Sequence, residues 1–328
     1  MSAGPRTEPG PPVPASLAGL GRRRASRRTA LRVREAVIEG TLRAAALAAV
    51  AGIVLILVFV LREALPVLTD PETRREAGLR SLAATPLWQP VGDVPKYGVL
   101  PLFVGTLKVA LVAMLFAVPI GVLAAVFTSE FAPYRVREAL KPAVEVLAGI
   151  PSVVLGFFAL IVLASWLQTL TGAVSRLNAL NAGIAVGIGI LPTVYSLCED
   201  SLSAVPRSYR EASLALGASP WQTAWFVTLP AAGVGVTAAI LLGLARAFGE
   251  TMIVLMASGN AALVSPSVLD SARTLSATIA AELAEVVVGS PHYAVLFFLG
   301  ALLFLVTFVI NAVAAVLVTR LRRRLRGA

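Results

Sequence analysis

Two oppositely charged side chains, Arg246 and Glu250, lie four residues apart inside an otherwise apolar stretch that reads Arg246-Ala-Phe-Gly-Glu250-Thr251-Met. An arginine at the centre of a membrane-spanning helix costs about 2.5–3.5 kcal/mol on insertion scales, so an ionisable residue there is by default a candidate functional residue. Residues at i and i+4 share a helix face and can form an ion pair. The pair could therefore be structural and self-neutralising, or it could belong to a polar pathway in which the guanidinium contacts an anion.

Composition excludes several other kinds of chemistry. The chain has one cysteine, Cys198, and one histidine, His292, which excludes a disulfide framework within the chain, a cysteine-based zinc site and paired-histidine metal sites. Its lysines follow Pro, Leu and Leu, so the Gly-Lys step of a phosphate-binding Walker loop is absent. We predict no catalytic residue, metal site or cofactor in this chain, and we interpret Cys198 and His292 as bystanders.

A polar segment supplies a second candidate site, and it reads Glu211-Ala212-Ser213, three residues, Gly217, nine residues, Val227-Thr-Leu229-Pro230. Ser208 can cap a short helix that carries Glu211 in its first turn. Gly217 allows a tight reversal, and Pro220 suits the first turn of a second helix. We predict a two-helix projection over about 207–230 that sits in a groove on a partner and transmits rigid-body motion. The alternative is an amphipathic linker on the membrane surface.

The elements that must position these residues are membrane helices. Hydrophobic residues make up 57% of the chain and charged residues 14%, against about 45–50% and 25% in soluble domains, and the mean hydropathy is +0.84. A bilayer-crossing helix needs about 20 apolar residues. Six segments qualify, roughly Leu42–Leu61, Leu100–Phe127, Val144–Leu167, Ala182–Leu197, Leu229–Ser258 and Tyr293–Thr319. We predict an all-α integral membrane protein with six transmembrane helices.

The basic residues indicate the orientation of these helices. Of the 28 Lys and Arg residues, 19 fall on the side of the N-terminus, seven on the opposite side and two within spans. Because cytoplasmic loops are enriched in Lys and Arg, both termini are predicted to be cytoplasmic. The Arg-rich stretch 22–34 has no interleaved aromatic residues, which indicates contact with anionic lipid and not with nucleic acid.

The domain organisation follows from these spans. Residues 1–40 are predicted to form a disordered, Arg-rich cytoplasmic N-terminus. Residues 41–97 hold the first transmembrane helix and a periplasmic segment, 98–319 form a core of five helices, and 320–328 form a basic cytoplasmic tail. In the loop 259–292, the helical periodicity of 272–286 predicts either an interfacial helix on the outer leaflet or part of an external gate or docking surface.

Three residues carry minor expectations. Pro151 removes a helix hydrogen bond and is expected to kink or start the third span. Ser152 can donate a hydrogen bond to an anion, although serine in a membrane helix more often bonds its own backbone. Lys108 is expected to snorkel to the membrane interface.

Both motifs resemble those of one family. The 211–230 segment resembles the EAA loop of binding-protein-dependent ABC importer permeases (E-A-A, three residues, G, nine residues, I-x-L-P), with Ser213 and Val227 as conservative departures. Arg246–Met252 resembles the RA-x-GET-M signature of phosphate-specific importer permeases. Flanking segments agree over roughly 98–319, among them Ser129-Glu130-Phe131-Ala-Pro, Gly149-Ile-Pro151-Ser152, Thr274-Leu-Ser-Ala-Thr-Ile-Ala and Gly289-Ser-Pro-His292-Tyr. The segments at Trp88 and Tyr97 are more similar to the PstC subunit than to its PstA partner.

The resemblance implies a type-1 ABC importer permease subunit for inorganic phosphate in the bacterial cytoplasmic (inner) membrane. It implies as partners a second permease of the PstA type, two ATPase subunits of the PstB type that bind ATP and Mg²⁺, and a periplasmic phosphate-binding protein of the PstS type. The residues assigned to ATPase coupling are then Glu211, Ala212, Gly217, Leu229 and Pro230. The candidates for the substrate pathway are Arg246, Glu250, Thr251 and Ser152.

The charges of Arg246 and Glu250 suggest how the two side chains would act on an anionic solute. Arginine can hold two phosphate oxygens at once, whereas Glu250 would repel phosphate. We therefore hypothesise that the Arg246–Glu250 pair closes the pathway at rest and that phosphate competes for Arg246.

Two classes of alternative stay open: an importer permease for a different solute, and a protein of another kind, either an ATP-independent carrier or an intramembrane enzyme. Only the Arg246 segment and the flanking signatures argue against an importer permease for another oxyanion or small solute, such as sulfate or molybdate. An ATP-independent carrier would show internal repeats and broken helices, and no clear repeat is visible. An intramembrane hydrolase needs a nucleophile–base or metal constellation, which one histidine and one cysteine do not supply.

Overall fold

The computed structural model describes the backbone of residues 15–326 and the side chains of Glu35 and residues 37–320. Its elements are α1 (Ala15–Ala64), α2 (Pro66–Thr69), α3 (Pro71–Ala77), α4 (Leu79–Ala84), β1 (Trp88–Gln89), β2 (Lys96–Tyr97), α5 (Leu100–Val126), α6 (Tyr134–Ala148), α7 (Ser152–Phe158), α8 (Ala164–Thr171), α9 (Ala179–Ser203), α10 (Arg207–Ala215), α11 (Pro220–Thr223), α12 (Leu229–Ala231), α13 (Gly233–Gly249), α14 (Met252–Ala257), α15 (Leu275–Glu282) and α16 (Pro291–Arg326). Three π-helical turns extend α5 and join α7 to α8 and α11 to α12, at Phe127–Phe131, Ala159–Leu163 and Ala224–Thr228. The strands β1 and β2 pair antiparallel.

The chain divides into two units, and the first ends at Phe59. Its described residues are all helical and belong to α1. The disorder predicted for residues 1–40 is not found from Ala15 onward, because this stretch lacks proline and is rich in Ala, Leu and Arg, which favour helix. Residues 1–14 lie outside the described residues. The apolar side chains over 42–59 are largely exposed, as a lipid-facing helix requires.

The spans agree in number with the six predicted from hydropathy. Five helices or helix runs are long and apolar enough to cross a membrane: Val37–Thr69, Leu100–Phe131, Ser152–Thr171, Ala179–Ser203 and Pro291–Arg320. A sixth span results if Pro220–Ala231 and Gly233–Gly249 count as one, although they are bent by 71°. The fifth predicted span is thus interrupted, at Ala232 and again after Gly249.

The third span begins later than predicted. Val144 belongs to α6, a separate amphipathic helix with none of its residues buried. The helix ends at Ala148 and the next begins at Ser152, because proline disfavours helical conformation in the residue before it. The expectation that Pro151 starts the span is confirmed, whereas the predicted start at Val144 is wrong.

Helices α5 and α9 pack closely at the centre of the second unit. A methyl group placed on Gly183 would lie 2.5 Å from Val112 Cβ, and one on Gly187 would lie 2.8 Å from Phe116 Cδ1. Glycine at these two positions therefore lets the helices approach. The second unit has two ends, one on each side of this contact. We call the end that carries α10 the α10 end, and the end that carries α15, β1 and β2 the α15 end.

The helix α15 is not the surface helix that the periodicity allowed. Its first turn, Leu275–Thr278, is buried. The backbone N–H of Leu275 donates to Thr106 Oγ1 at 3.1 Å, and a Cβ on Gly105 would lie only 2.2 Å from the carbonyl oxygen of Arg273. The start of α5 thus holds the segment that leads into α15, and the prediction of an interfacial helix is wrong.

Lys108 has a structural contact in place of the predicted snorkelling. Its residue is only 8% exposed, and its Nζ donates to the backbone carbonyl of Ser267 at 3.0 Å. The two residues are 159 positions apart, so no local sequence pattern could indicate the contact.

A cluster of polar and aromatic side chains joins the elements at the α15 end. Glu282 accepts hydrogen bonds from Trp88 Nε1 at 3.0 Å and from Arg273, and His292 Nε2 lies 2.9 Å from its Oε2. The His292 ring also contacts Trp88 and Tyr97, with ring centroids 6.3 Å and 5.7 Å apart. The interpretation of His292 as a bystander is therefore wrong, because it links α16 to α15 and to both strands.

We expect this cluster to make stability sensitive to acid. Burial raises the pKa of Glu282, but hydrogen bonds from His292 and Trp88 and the charge of Arg273 outweigh burial and hold this pKa below the ordinary 4.5. A lowered folded pKa means that the folded protein binds fewer protons than the unfolded chain, so the stabilisation is complete above 4.5 and is lost as the pH falls through the folded pKa. In detergent, Glu282→Gln should lower the Tm at neutral pH and reduce the Tm loss on acidification below 4.5. A Tm–pH curve identical to that of the wild type would contradict this role.

Candidate functional site

Arg246 lies in the last turn of α13, with its side chain exposed. Its Nη1 donates to Thr193 Oγ1 of α9 at 2.6 Å. A guanidinium has five N–H donors, and this is the one hydrogen bond that the described residues make with it. Arg246 therefore keeps donors that can bind an anion.

The predicted Arg246–Glu250 ion pair is absent from the part of the chain that the structure describes. The pairing assumed an unbroken helix, but α13 ends at Gly249 and Glu250 has extended backbone angles, φ −67° and ψ 132°. The i, i+4 relation therefore does not apply. Glu250 Oε1 accepts instead from the backbone N–H of Thr251 at 3.2 Å. The hypothesis that this pair closes the pathway at rest is wrong for this conformation.

The backbone break at Glu250 and Thr251 is itself part of the site. Ser276 Oγ donates to the carbonyl of Glu250 at 2.7 Å, and Thr251 Oγ1 donates to the carbonyl of Gly249 at 3.1 Å. Non-helical backbone at membrane depth is tolerated where protein buries it or where it lines a water-filled cavity. Here a cavity of about 470 Å³ lies beside the break, lined by Thr251, Ser276, Ile279, Ala280, Leu283, Ala284 and Leu303.

Ser152 is not joined to the other pathway candidates. It begins α7 and is half-buried. Among the described residues, no hydrogen bond or ion pair connects its side chain to Arg246, Glu250 or Thr251. The helix α7 instead contacts α14 at Gly156, where a Cβ would lie 2.8 Å from Met256 Sδ.

The second candidate site is the two-helix projection formed by α10 and α11. The α10 helix ends in a Schellman motif, since Ala218 N–H donates to the carbonyl of Ser213 and Gly217 N–H to that of Leu214, with Gly217 at φ +87°. Helix α11 begins at Pro220 and has a capping box between Ser219 and Gln222. The hydroxyls of Ser213 and Thr223 lie 2.9 Å apart and join the two helices. The predicted projection, with its reversal at Gly217 and its start at Pro220, is confirmed.

Two details of this prediction are wrong. The residue that precedes α10 is Pro206, and Ser208 makes no capping bond. Because the helix starts at Arg207, Glu211 lies in its second turn. Neither residue therefore contributes at the helix N-terminus.

The exposed face of the projection combines one carboxylate with apolar side chains. Glu211 and Ala212 are exposed, and so are Tyr209, Leu214, Leu216 and Trp221. Leu216 is 90% exposed. By contrast, Leu229 and Pro230 begin α12, where the chain turns into α13; Leu229 is half-buried and Pro230 is exposed. A contiguous exposed apolar face of this kind marks an interaction site or a membrane contact.

Sequence reasoning missed two residues of the first site. Thr193 and Ser276 contact Arg246 and Glu250 across 53 and 26 positions, and neither residue stands out by type. Ser276 lies within a segment that matched the family signature, which was the one available signal.

Comparison with known proteins decides the family. The family described as "Binding-protein-dependent transport system inner membrane component" matches residues 117–327. The chain belongs to this family. It is a permease, the translocation component of an ABC transport system, and a multi-pass protein of the bacterial inner membrane.

Relatives and solved structures agree with this assignment. The permease is 38% identical to the "Probable ABC transporter permease protein YqgH" of Bacillus subtilis over 67% of this chain and 72% of that protein. It is 37% identical to the "Phosphate transport system permease protein PstC" of Mesorhizobium japonicum, over 72% and 77%. Its fold resembles the inward-facing MetNI methionine ABC transporter (TM-score 0.52, 19% identity, 68% and 94% covered) and a bacterial alginate ABC transporter (TM-score 0.53, 16% identity, 81% and 90% covered).

Proposed function

We propose that this permease moves inorganic phosphate across the inner membrane in an ATP-driven importer, as the subunit of the PstC type. The observation that carries the proposal is the Arg246 guanidinium, which lies within a span and has no carboxylate partner among the described residues. An arginine within a span and without a counter-charge favours an anionic solute. The adjacent backbone break places irregular backbone beside a cavity, as the interrupted helices of transporter sites do.

The energy comes from separate ATPase subunits. The chain has no Walker loop, and the exposed face of α10 and α11 supplies a docking surface for a partner. We assign Glu211, Ala212 and Gly217 to this docking, with Leu229 and Pro230 connecting the projection to α13. The partners are two ATPases of the PstB type that bind ATP and Mg²⁺, a second permease of the PstA type and a periplasmic phosphate-binding protein of the PstS type.

Orientation follows from the same assignment. The ATPases are cytoplasmic, so the α10 end faces the cytoplasm and the α15 end faces the periplasm. Both termini are then cytoplasmic, in agreement with the excess of Lys and Arg on that side.

The experiment that tests the substrate assignment compares phosphate with other oxyanions. Reconstituted complex should hydrolyse ATP faster when its phosphate-binding protein carries phosphate, and phosphate uptake should survive excess sulfate or molybdate. Stimulation by sulfate but not by phosphate would overturn the substrate assignment while leaving the permease assignment intact.

A further inference from the structure

A partly buried ion pair joins the projection to the π-helical turn that extends α5. Arg210 of α10 donates to Glu130 through Nε, at 3.1 and 3.0 Å to its two oxygens, and through Nη2 at 2.7 Å. The side chains are 20% and 8% exposed. Such a pair is geometrically specific as well as strong, so it fixes the orientation of α10 relative to α5.

The same guanidinium also donates hydrogen bonds to two backbone carbonyls at and just beyond the end of α9. Its Nη1 donates to the carbonyl of Val205 at 2.7 Å, and its Nη2 donates to that of Leu202 at 2.9 Å. Leu202 lies in the last turn of α9 and Val205 follows the end of that helix, where backbone acceptors lack the hydrogen bonds of a continuing helix. Arg210 therefore connects α10 to two spans at once.

Glu130 lies in a π-helical turn that other elements brace. Arg137 of α6 donates to the carbonyls of Thr128 and Ser129 at 3.1 and 2.7 Å. Tyr195 of α9 donates to Thr128 Oγ1 at 3.1 Å. These contacts hold the π-helical turn that carries Glu130, so a displacement of Arg210 is passed through Glu130 to α5, α6 and α9.

Helix α9 links this junction to the substrate site. Leu202, whose carbonyl Arg210 grips, and Thr193, which holds Arg246, are nine residues apart in α9, about 14 Å at the helical rise. The helix is uninterrupted between them, and Pro192 lies directly before Thr193. The segment from Thr193 onward can move as one rigid piece with a hinge at Pro192.

We infer that Arg210 and Glu130 form the joint that transmits movement of the projection through α9 to Arg246. The inference rests on the proposed function, because it assigns to the joint the task of coupling a partner's ATP cycle to solute movement. Arg210 and Glu130 are positioning residues, since neither touches the solute.

The experiment measures phosphate uptake and ATP hydrolysis in the same proteoliposomes, which contain the complete complex. Glu130→Gln and Arg210→Gln should each retain hydrolysis but lower the phosphate moved per ATP at least about fivefold, the lower end of allosteric coupling effects. The double variant should lower it no further than either single variant, because both remove the same interaction. Glu199→Gln is the matched control: Glu199 is 3% exposed and pairs with Lys141 at the same end, and no hydrogen bond or ion pair among the described residues joins it to α10.

Stability separates this role from simple anchoring. The double variant leaves no uncompensated charge, so its Tm should exceed that of the single variants while its transport per ATP stays low. Recovery of transport together with the Tm would overturn the inference, as would wild-type coupling in both single variants. If the wild-type complex itself shows no ATP-dependent phosphate uptake, the proposed function fails and not the joint.

Discussion

Arg246→Gln is expected to lower phosphate uptake at least about tenfold, because hydrogen bonds to a charged group contribute about 1.5–3 kcal/mol and a neutral amide cannot replace them. The substitution keeps a donor for Thr193, so α13 and α9 stay joined and the complex should still assemble. Phosphate uptake by Arg246→Lys should lie between that of the wild type and that of Arg246→Gln, since an ammonium keeps the charge but loses the bidentate geometry. Uptake in proteoliposomes at several phosphate concentrations provides the measurement.

Two companion variants sharpen this test. Arg320→Gln removes an exposed arginine near the end of α16 that has no partner among the described residues, and uptake should stay at the wild-type level. Glu250→Gln should alter uptake without preventing assembly, because a carboxylate beside the break repels an anion. Wild-type uptake by Arg246→Gln and Glu250→Gln variants that assemble normally would remove both residues from the pathway.

Leu216→Asp is expected to weaken binding of the ATPase at least about tenfold, since altering a hot-spot residue at the centre of an interface costs about 2 kcal/mol or more. Leu216 is 90% exposed, so a carboxylate there is solvated in the free subunit and the fold should be unaffected. When the ATPase binds and buries this position, the introduced carboxylate would lose its water without gaining a counter-charge, and this cost weakens binding. Titration of detergent-purified permease complex with ATPase gives the Kd.

The control for this prediction is an equally exposed apolar residue elsewhere. Val174 is 101% exposed and lies in the loop after α8 at the α15 end. Val174→Asp should leave ATPase affinity unchanged. Equal affinities for Leu216→Asp and wild type would place the ATPase contact away from the projection.

Features encoded by local sequence were predictable. Long apolar runs defined the six spans, because the bilayer imposes a length and a composition on every crossing. Gly217 and Pro220 located the reversal and the second helix of the projection, because each residue type has a restricted backbone preference that short-range sequence expresses.

The errors came from contacts between distant segments. Pairing Arg246 with Glu250 required a continuous helix, yet Ser276 binds the Glu250 carbonyl and stabilises a break there. Lys108 and His292 were assigned by residue type alone, whereas partners far away in sequence determine what they do. The joint between Glu130 and Arg210, 80 positions apart, is likewise a product of the tertiary fold.

The most direct test of the account reconstitutes the permease pair in liposomes with and without the ATPase subunits and follows radiolabelled phosphate. Uptake should require the ATPase, ATP and the loaded binding protein together, and Leu216→Asp should lower it as ATPase binding weakens. Phosphate movement by the permease pair alone, with no nucleotide-hydrolysing subunit bound at the projection, would contradict the account.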